Sequence, residues 1–297
     1  MFTEQEQSIE EAEYRQWHHR SIGSRDAWKI TRGLTSSSMP VRVALIDEGC
    51  DVWHPDLTDA VVGGAETDPN GGMRRWTKGT DYIGDPHGTA CAGLVAARSS
   101  VHGLGLAFEA SLVVFEVLGW STATQGPVVA AIEAAAGLSD ASLACDVICC
   151  SLGPRGKEPF SPSKAMRAAL AAAASRGRSG FGCPIVWSVP TENAIGQDVS
   201  ASEHVLAVGS VDAYGRRFGA ANVASLYAPG QDVVTTVSPN NWGVVSGTSY
   251  AAPLVAGAAA LVLACRPTMT ALDVRKHLVA TSKNGVLNIG AAIQVFG

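Results

Sequence analysis

Short, strongly apolar runs recur along the chain at residues 41–46, 112–117, 146–152, 185–189, 204–209 and 226–227. Their aliphatic and β-branched character predicts buried strands. Stretches of helical character lie between them, at residues 88–97, 128–138, 164–176 and 250–264. Residues 270–281 read as a further helix, with Thr270 as its cap ahead of LDVRKHL. Strands alternating with helices predict an α/β fold: a doubly wound, mostly parallel β-sheet flanked by helices. No internal repeat or low-complexity tract interrupts the pattern. No apolar run reaches the eighteen or so residues that would span a membrane, and 254–264 belongs to the helix behind Ser249.

Composition supports one large core. Of 297 residues, 46% are hydrophobic and only 16% charged. The net charge of -5 gives no case for nucleic acid as a partner. The first twenty residues are polar and acidic, with neither a basic leader nor an apolar stretch, so they do not read as a secretory signal. They are expected to be an N-terminal extension (1–20), either a helix anchored on the domain by Trp17 or a frayed tail, ahead of one domain (21–297). The seven cysteines are an odd number without CxxC spacing. They read as small buried hydrophobes in a reducing compartment, and the expected location is cytoplasmic.

Three segments carry candidate chemistry. The strand VRVALIDEG places Asp47 at its carboxyl end, where open α/β sheets hold their ligands. The segment HGTACAGLVAA puts His87 at the start of an alanine-rich helix. The frame GTSYAAP sets Ser249 at the mouth of a buried helix, where free N–H groups and the helix dipole favour negative charge. Each has an ordinary structural alternative: a turn aspartate, a capping histidine, an N-cap serine. Together, in the order Asp, His, Ser, they suit nucleophilic catalysis. A base near neutral pKa takes the serine proton, and a buried carboxylate fixes the imidazole tautomer.

These segments resemble those of the subtilases, the subtilisin-like serine proteases. The resemblance extends through CCSLG, HVLAVGSVD and YAPGQDV and runs from about residue 22 to the C-terminus. It implies a subtilisin-like fold, Asp47, His87 and Ser249 as catalytic triad, and a peptide or protein substrate. It also implies that substrate adds as a strand beside Ser151, Leu152 and Gly153 on one wall and Ser188, Val189 and Pro190 on the other. Pro154 and Pro190 alter both walls, since proline lacks a backbone donor. Glu192 could lie near the specificity pocket or be a solvated loop residue. Trp187 reads as core packing, with pocket narrowing as the alternative.

One departure concerns the oxyanion hole. Where the family supplies an asparagine, PIVWSVPTENAIG places Thr191, with Asn193 two residues on. Asn193, Thr191 or the Ser249 N–H alone remain open as donors. A metal centre is not expected. Asp56 matches a family calcium-ligand position, yet the loop that normally completes that site is missing from ARSSVHGLGLA, so calcium is expected to be absent there. Cys91, one helical turn after His87, is expected beneath the imidazole and not as a nucleophile. The resulting expectation is a selective serine endopeptidase acting through an acyl-enzyme. The alternatives are a transpeptidase or macrocyclase, or a catalytically weak fold that binds peptide.

Overall fold

A computed structural model describes residues 9–10, 14–68, 70–76, 86–99, 101–117, 121, 124–153, 160–192 and 198–297. Its centre is a nine-stranded sheet built from β1 (Arg42–Asp47), β2 (Val61–Thr67), β3 (Met73–Trp76), β4 (Ser111–Glu116), β5 (Val147–Cys150), β6 (Ile185–Ser188), β7 (Val205–Val211), β8 (Arg217–Phe218) and β9 (Leu226–Pro229). The order is β3-β2-β4-β1-β5-β6-β7-β8, and β9 also pairs with β7. Pairing is parallel except at the β2–β3 and β7–β8 edges. A separate hairpin joins β10 (Val233–Val237) to β11 (Asn241–Val245).

The apolar runs are explained by burial on both faces. In β1, Val43 and Leu45 face one core while Ala44 and Ile46 face the other. The first core is closed by α1 (Trp17–Ile22), α2 (Ser24–Trp28), α3 (Pro86–Ala96), α6 (Thr248–Cys265), α7 (Ala271–Ala280) and α8 (Ile289–Gln294). The second is closed by α4 (Gly126–Ala135) and α5 (Lys164–Arg176). Full burial of a leucine or isoleucine contributes roughly 1.5–3 kcal/mol, so these strands anchor the sheet. Thr270 caps α7 as expected, its hydroxyl accepting from the Asp273 N–H at 3.1 Å.

Three expectations need adjustment. The pairing of β5 ends at Cys150, so Ser151, Leu152 and Gly153 run beyond the sheet. The helix expected at 128–138 spans Gly126–Ala135, and Gly137 lies in the left-handed region just beyond it. The third concerns membranes. Taken as a whole, α6 is 18 residues long and apolar enough to cross one by length and composition, because Thr248 and Ser249 cost little hydropathy. It is nevertheless a core helix, packed against β5, β6, β7 and β9 and mostly buried.

Residues 16–19 are part of this packing. Gln16, His18 and His19 are buried. Trp17 anchors the helix, its indole N–H donating to the Asp232 carbonyl at 2.9 Å.

Candidate active site

Asp47 ends β1, the central strand on which the sheet order reverses, with β4 on one side and β5 on the other. Its carboxylate is buried and accepts the Glu48 backbone N–H at 2.8 Å. The chain then turns at Gly49, and α3 begins directly against that turn. The approach requires glycine at position 88: a Cβ there would lie 1.7 Å from the Gly49 carbonyl oxygen. The contact places His87 over Asp47.

His87 Nδ1 lies 3.0 Å from Asp47 Oδ1 and 3.1 Å from Oδ2. An ionised carboxylate can only accept, so Nδ1 carries the hydrogen and Nε2 is left with its lone pair. The His87 side chain is 32% exposed while Asp47 is 1% exposed. A sheltered acid thus holds an imidazole that is itself partly exposed.

Ser249 is the second residue of α6 and not its N-cap. Gly247 takes that position, without a side-chain cap. Gly247 is held by its N–H to Gly230 O at 2.7 Å, and the Thr248 hydroxyl donates to Val189 O at 2.8 Å. These bonds fasten the mouth of α6 to the ends of β9 and β6. The ring of Tyr250, the next residue, packs on the His87 imidazole with centroids 5.4 Å apart. Asp47, His87 and the start of α6 therefore converge at the carboxyl end of the sheet. Ser249 Oγ is turned to the Ser151 carbonyl at 3.3 Å.

Cys91 lies one turn below His87, and its thiol donates to the Ser249 carbonyl at 3.7 Å. Burial above all, with the Asp47 charge adding to it, pushes this thiol well above its ordinary range. It stays protonated and is a hydrogen-bond donor, not a nucleophile. Among the described residues, Asp47, His87 and Cys91 form one group of potential ligand atoms within 4.8 Å of one another. A metal would need the thiolate and would displace the aspartate–histidine bond, so the donor set does not suit one.

The two expected substrate walls sit on either side of Ser249. Ser151, Leu152, Ser188 and Val189 are buried, Pro190 is half-buried and Gly153 is exposed. Several of their carbonyls already accept bonds: Ser151 from Ser249, Leu152 from the Trp187 indole at 2.8 Å, Val189 from Thr248, Pro190 from the Ala220 N–H at 2.8 Å. Trp187 is buried and meets Phe160 edge-on at 5.8 Å, as core packing requires. Thr191 and Glu192 are exposed just beyond β6. Asn193 and Pro154 lie outside the described residues.

The Asp56 carboxylate accepts the Trp242 indole N–H at 2.7 Å. The nearby Leu104 carbonyl accepts from both Gln16 and His19, at 3.0 and 2.9 Å. One Asp56 carboxylate oxygen and the Leu104 carbonyl are thus engaged within the protein itself.

The family model of the subtilase family matches residues 39–297. The chain belongs to the subtilase family. It is 36% identical to subtilisin DY of Bacillus licheniformis over 275 residues, covering 86% of this chain and 91% of that one. It is 35% identical to the major intracellular serine protease of Bacillus subtilis over 233 residues, 75% of this chain and 68% of that protein. A protease from Pseudoalteromonas arctica has a similar structure, with a TM-score of 0.77 at 25% identity over 95% of this chain and 97% of that one. As a subtilase the chain is a serine peptidase with the α/β fold expected from its strand pattern. Reading its motifs separately passed over the bonds that fasten the mouth of α6. Their signals were Gly247 and Thr248, both inside the quoted GTSYAAP frame.

Proposed function

We propose that this subtilase is a serine endopeptidase whose triad is Asp47, His87 and Ser249. The observation that carries the reading is the bond from His87 Nδ1 to a buried Asp47, beside the helix mouth that bears Ser249. His87 Nε2 takes the Ser249 hydroxyl proton as the oxygen attacks the substrate carbonyl, and returns it to the leaving amine. Asp47 holds the tautomer and stabilises the imidazolium. The Ser249 N–H at the start of α6, with Thr191 or Asn193, stabilises the oxyanion. Water then releases the acyl group.

Peptide substrate lies between the Ser151–Leu152–Gly153 and Ser188–Val189–Pro190 walls. The carbonyls already engaged there restrict the strand pairing open to it, which supports selective processing over bulk digestion. The seven unpaired thiols and the likeness to an intracellular protease of Bacillus subtilis support a cytoplasmic location.

Intact mass after fluorophosphonate treatment tests the triad. One adduct is expected on wild type and none on Ser249→Ala. A folded wild-type protein that takes no adduct would instead support a peptide-binding role.

A further inference from the structure

Pro253 lies inside α6, four residues after Ser249. In an α-helix the N–H of residue 253 would donate to the carbonyl of residue 249. Proline has no N–H, and its ring crowds that carbonyl. The carbonyl of the nucleophile's own residue is thereby deprived of its usual helical N–H partner. A buried carbonyl in that state needs donors from elsewhere.

Two side chains supply them. The Ser151 hydroxyl donates to Ser249 O at 2.8 Å, and the Cys91 thiol donates to it at 3.7 Å. They come from opposite sides: Ser151 follows β5, and Cys91 is on α3 one turn below His87. Cys91 is fully buried and its thiol stays protonated, so it keeps a hydrogen to donate. Ser151 is 3% exposed, so its hydroxyl makes this bond sheltered from solvent. The peptide plane that carries Ser249 is thus fixed by the two elements that carry the histidine and one substrate wall.

We propose that Ser151 and Cys91 are positioning residues that hold the backbone of Ser249 through the carbonyl left open by Pro253. This rests on Ser249 being the nucleophile. It gives the Ser151 side chain a task distinct from lining the substrate. The clamp fixes where Ser249 Oγ starts relative to His87, and small errors in that placement are costly in rate. It therefore acts on the acylation rate and not on substrate affinity.

The experiment compares kcat, KM and the second-order rate of fluorophosphonate labelling for wild type, Ser151→Ala, Ser151→Thr, Cys91→Ala, Cys91→Ser and the double variant Ser151→Ala with Pro253→Ala. Circular dichroism confirms that each is folded. Ser151→Ala is expected to lower kcat and labelling by about tenfold with KM within about twofold, as loss of one buried donor implies. Ser151→Thr and Cys91→Ser, which keep a donor, recover most of the rate lost in the alanine variants. The deciding arm is the double variant: it restores an N–H at position 253 for Ser249 O and is expected to label several-fold faster than Ser151→Ala alone. A Ser151→Ala enzyme that labels at the wild-type rate, or one whose defect lies wholly in KM, overturns the proposal. So does a double variant slower than Ser151→Ala while still folded. Absence of labelling on wild type itself would fail the triad assignment and not the clamp alone.

Discussion

The ring of Tyr250 lies 5.4 Å from the ring of His87, tilted by 46°. The residue after Ser249 thus packs on the His87 imidazole. An aromatic face beside an imidazole limits its rotation and favours the imidazolium that forms during proton transfer. Replacing Tyr250 by leucine removes both effects while keeping apolar volume. The expected result is a two- to fivefold lower kcat, corresponding to about 0.5–1 kcal/mol. Tyr250→Phe keeps the ring and is expected to stay within twofold of wild type. Steady-state kinetics on one peptide substrate checks both variants.

Gly88 is the tightest constraint near the site. Its missing side chain lets α3 start against the Gly49 carbonyl, and a Cβ would also meet Asp47 Cβ at 3.2 Å. The Gly49 backbone on one side and the Asp47 Cβ, fixed to its own backbone, on the other leave no flexible group to yield. Gly88→Ala is expected to lower stability by about 3 kcal/mol or more and to detach His87 from Asp47, so that both the urea midpoint and the labelling of Ser249 fall. A variant with wild-type stability would mean that the approach is looser than this geometry requires.

Much of this was legible in the sequence because burial on both faces leaves an unbroken apolar run. Val43 to Ile46 could be read as a strand from hydrophobicity alone, and Asp47 as its end. β2 could not. Its Gly63 and Gly64 carry no hydrophobic pattern, and Gly64 is required because Trp76 and the Val114 carbonyl lie where its Cβ would be. The β10–β11 hairpin was missed for another reason. Thr235 and Thr236 look like a polar surface, yet both are buried with their hydroxyls donating to Ala90 O and Thr89 O of α3. Asp47, His87 and Ser249 are candidates because each stands in a distinctive local frame. The partner of Asp56 is 186 residues away at Trp242, a pairing that no local pattern encodes.

That pairing makes a prediction about metal. With the Asp56 carboxylate holding the Trp242 indole, stability is expected to be independent of calcium at this position. Thermal unfolding with and without EDTA should give the same midpoint within about 2 °C. Trp242→Phe removes the donor and is expected to cost about 1–2 kcal/mol, the lower range for a bond to a charged group because the site is only half-buried. A clear fall in midpoint on chelation, restored by calcium, would assign Asp56 to a metal after all.

The oxyanion donor can be settled by two alanine variants. Loss of one donor from such a hole costs roughly a hundred- to a thousandfold in kcat. Asn193→Ala is expected to show that loss if its side chain fills the hole, and Thr191→Ala if the hydroxyl does. KM should change little in either case, because the interaction strengthens only as the tetrahedral oxygen forms. Two variants that both retain full kcat would leave the Ser249 N–H as the donor.

Acid should weaken the packing of the N-terminal helix. His18 and His19 are both buried, their rings 4.4 Å apart. Burial holds His18 well below its ordinary value, with the neighbouring His19 adding to it, and lowers His19 to about 4. The His19 ring is neutral: Nε2–H donates to Leu104 O at 2.9 Å and Nδ1 accepts from the Ser24 hydroxyl at 3.0 Å. In the unfolded chain both histidines titrate near 6.5, so the unfolded state binds more protons between that value and about 4. Their contribution is complete above pH 6.5 and is lost as pH falls toward 4. For His19 alone the loss is about 3 kcal/mol. Urea unfolding at pH 7.5 and pH 5 should show the decline. His19→Gln keeps a donor and an acceptor without a titrating ring, so its decline should be shallower than that of wild type. Equal declines would place the acid sensitivity elsewhere.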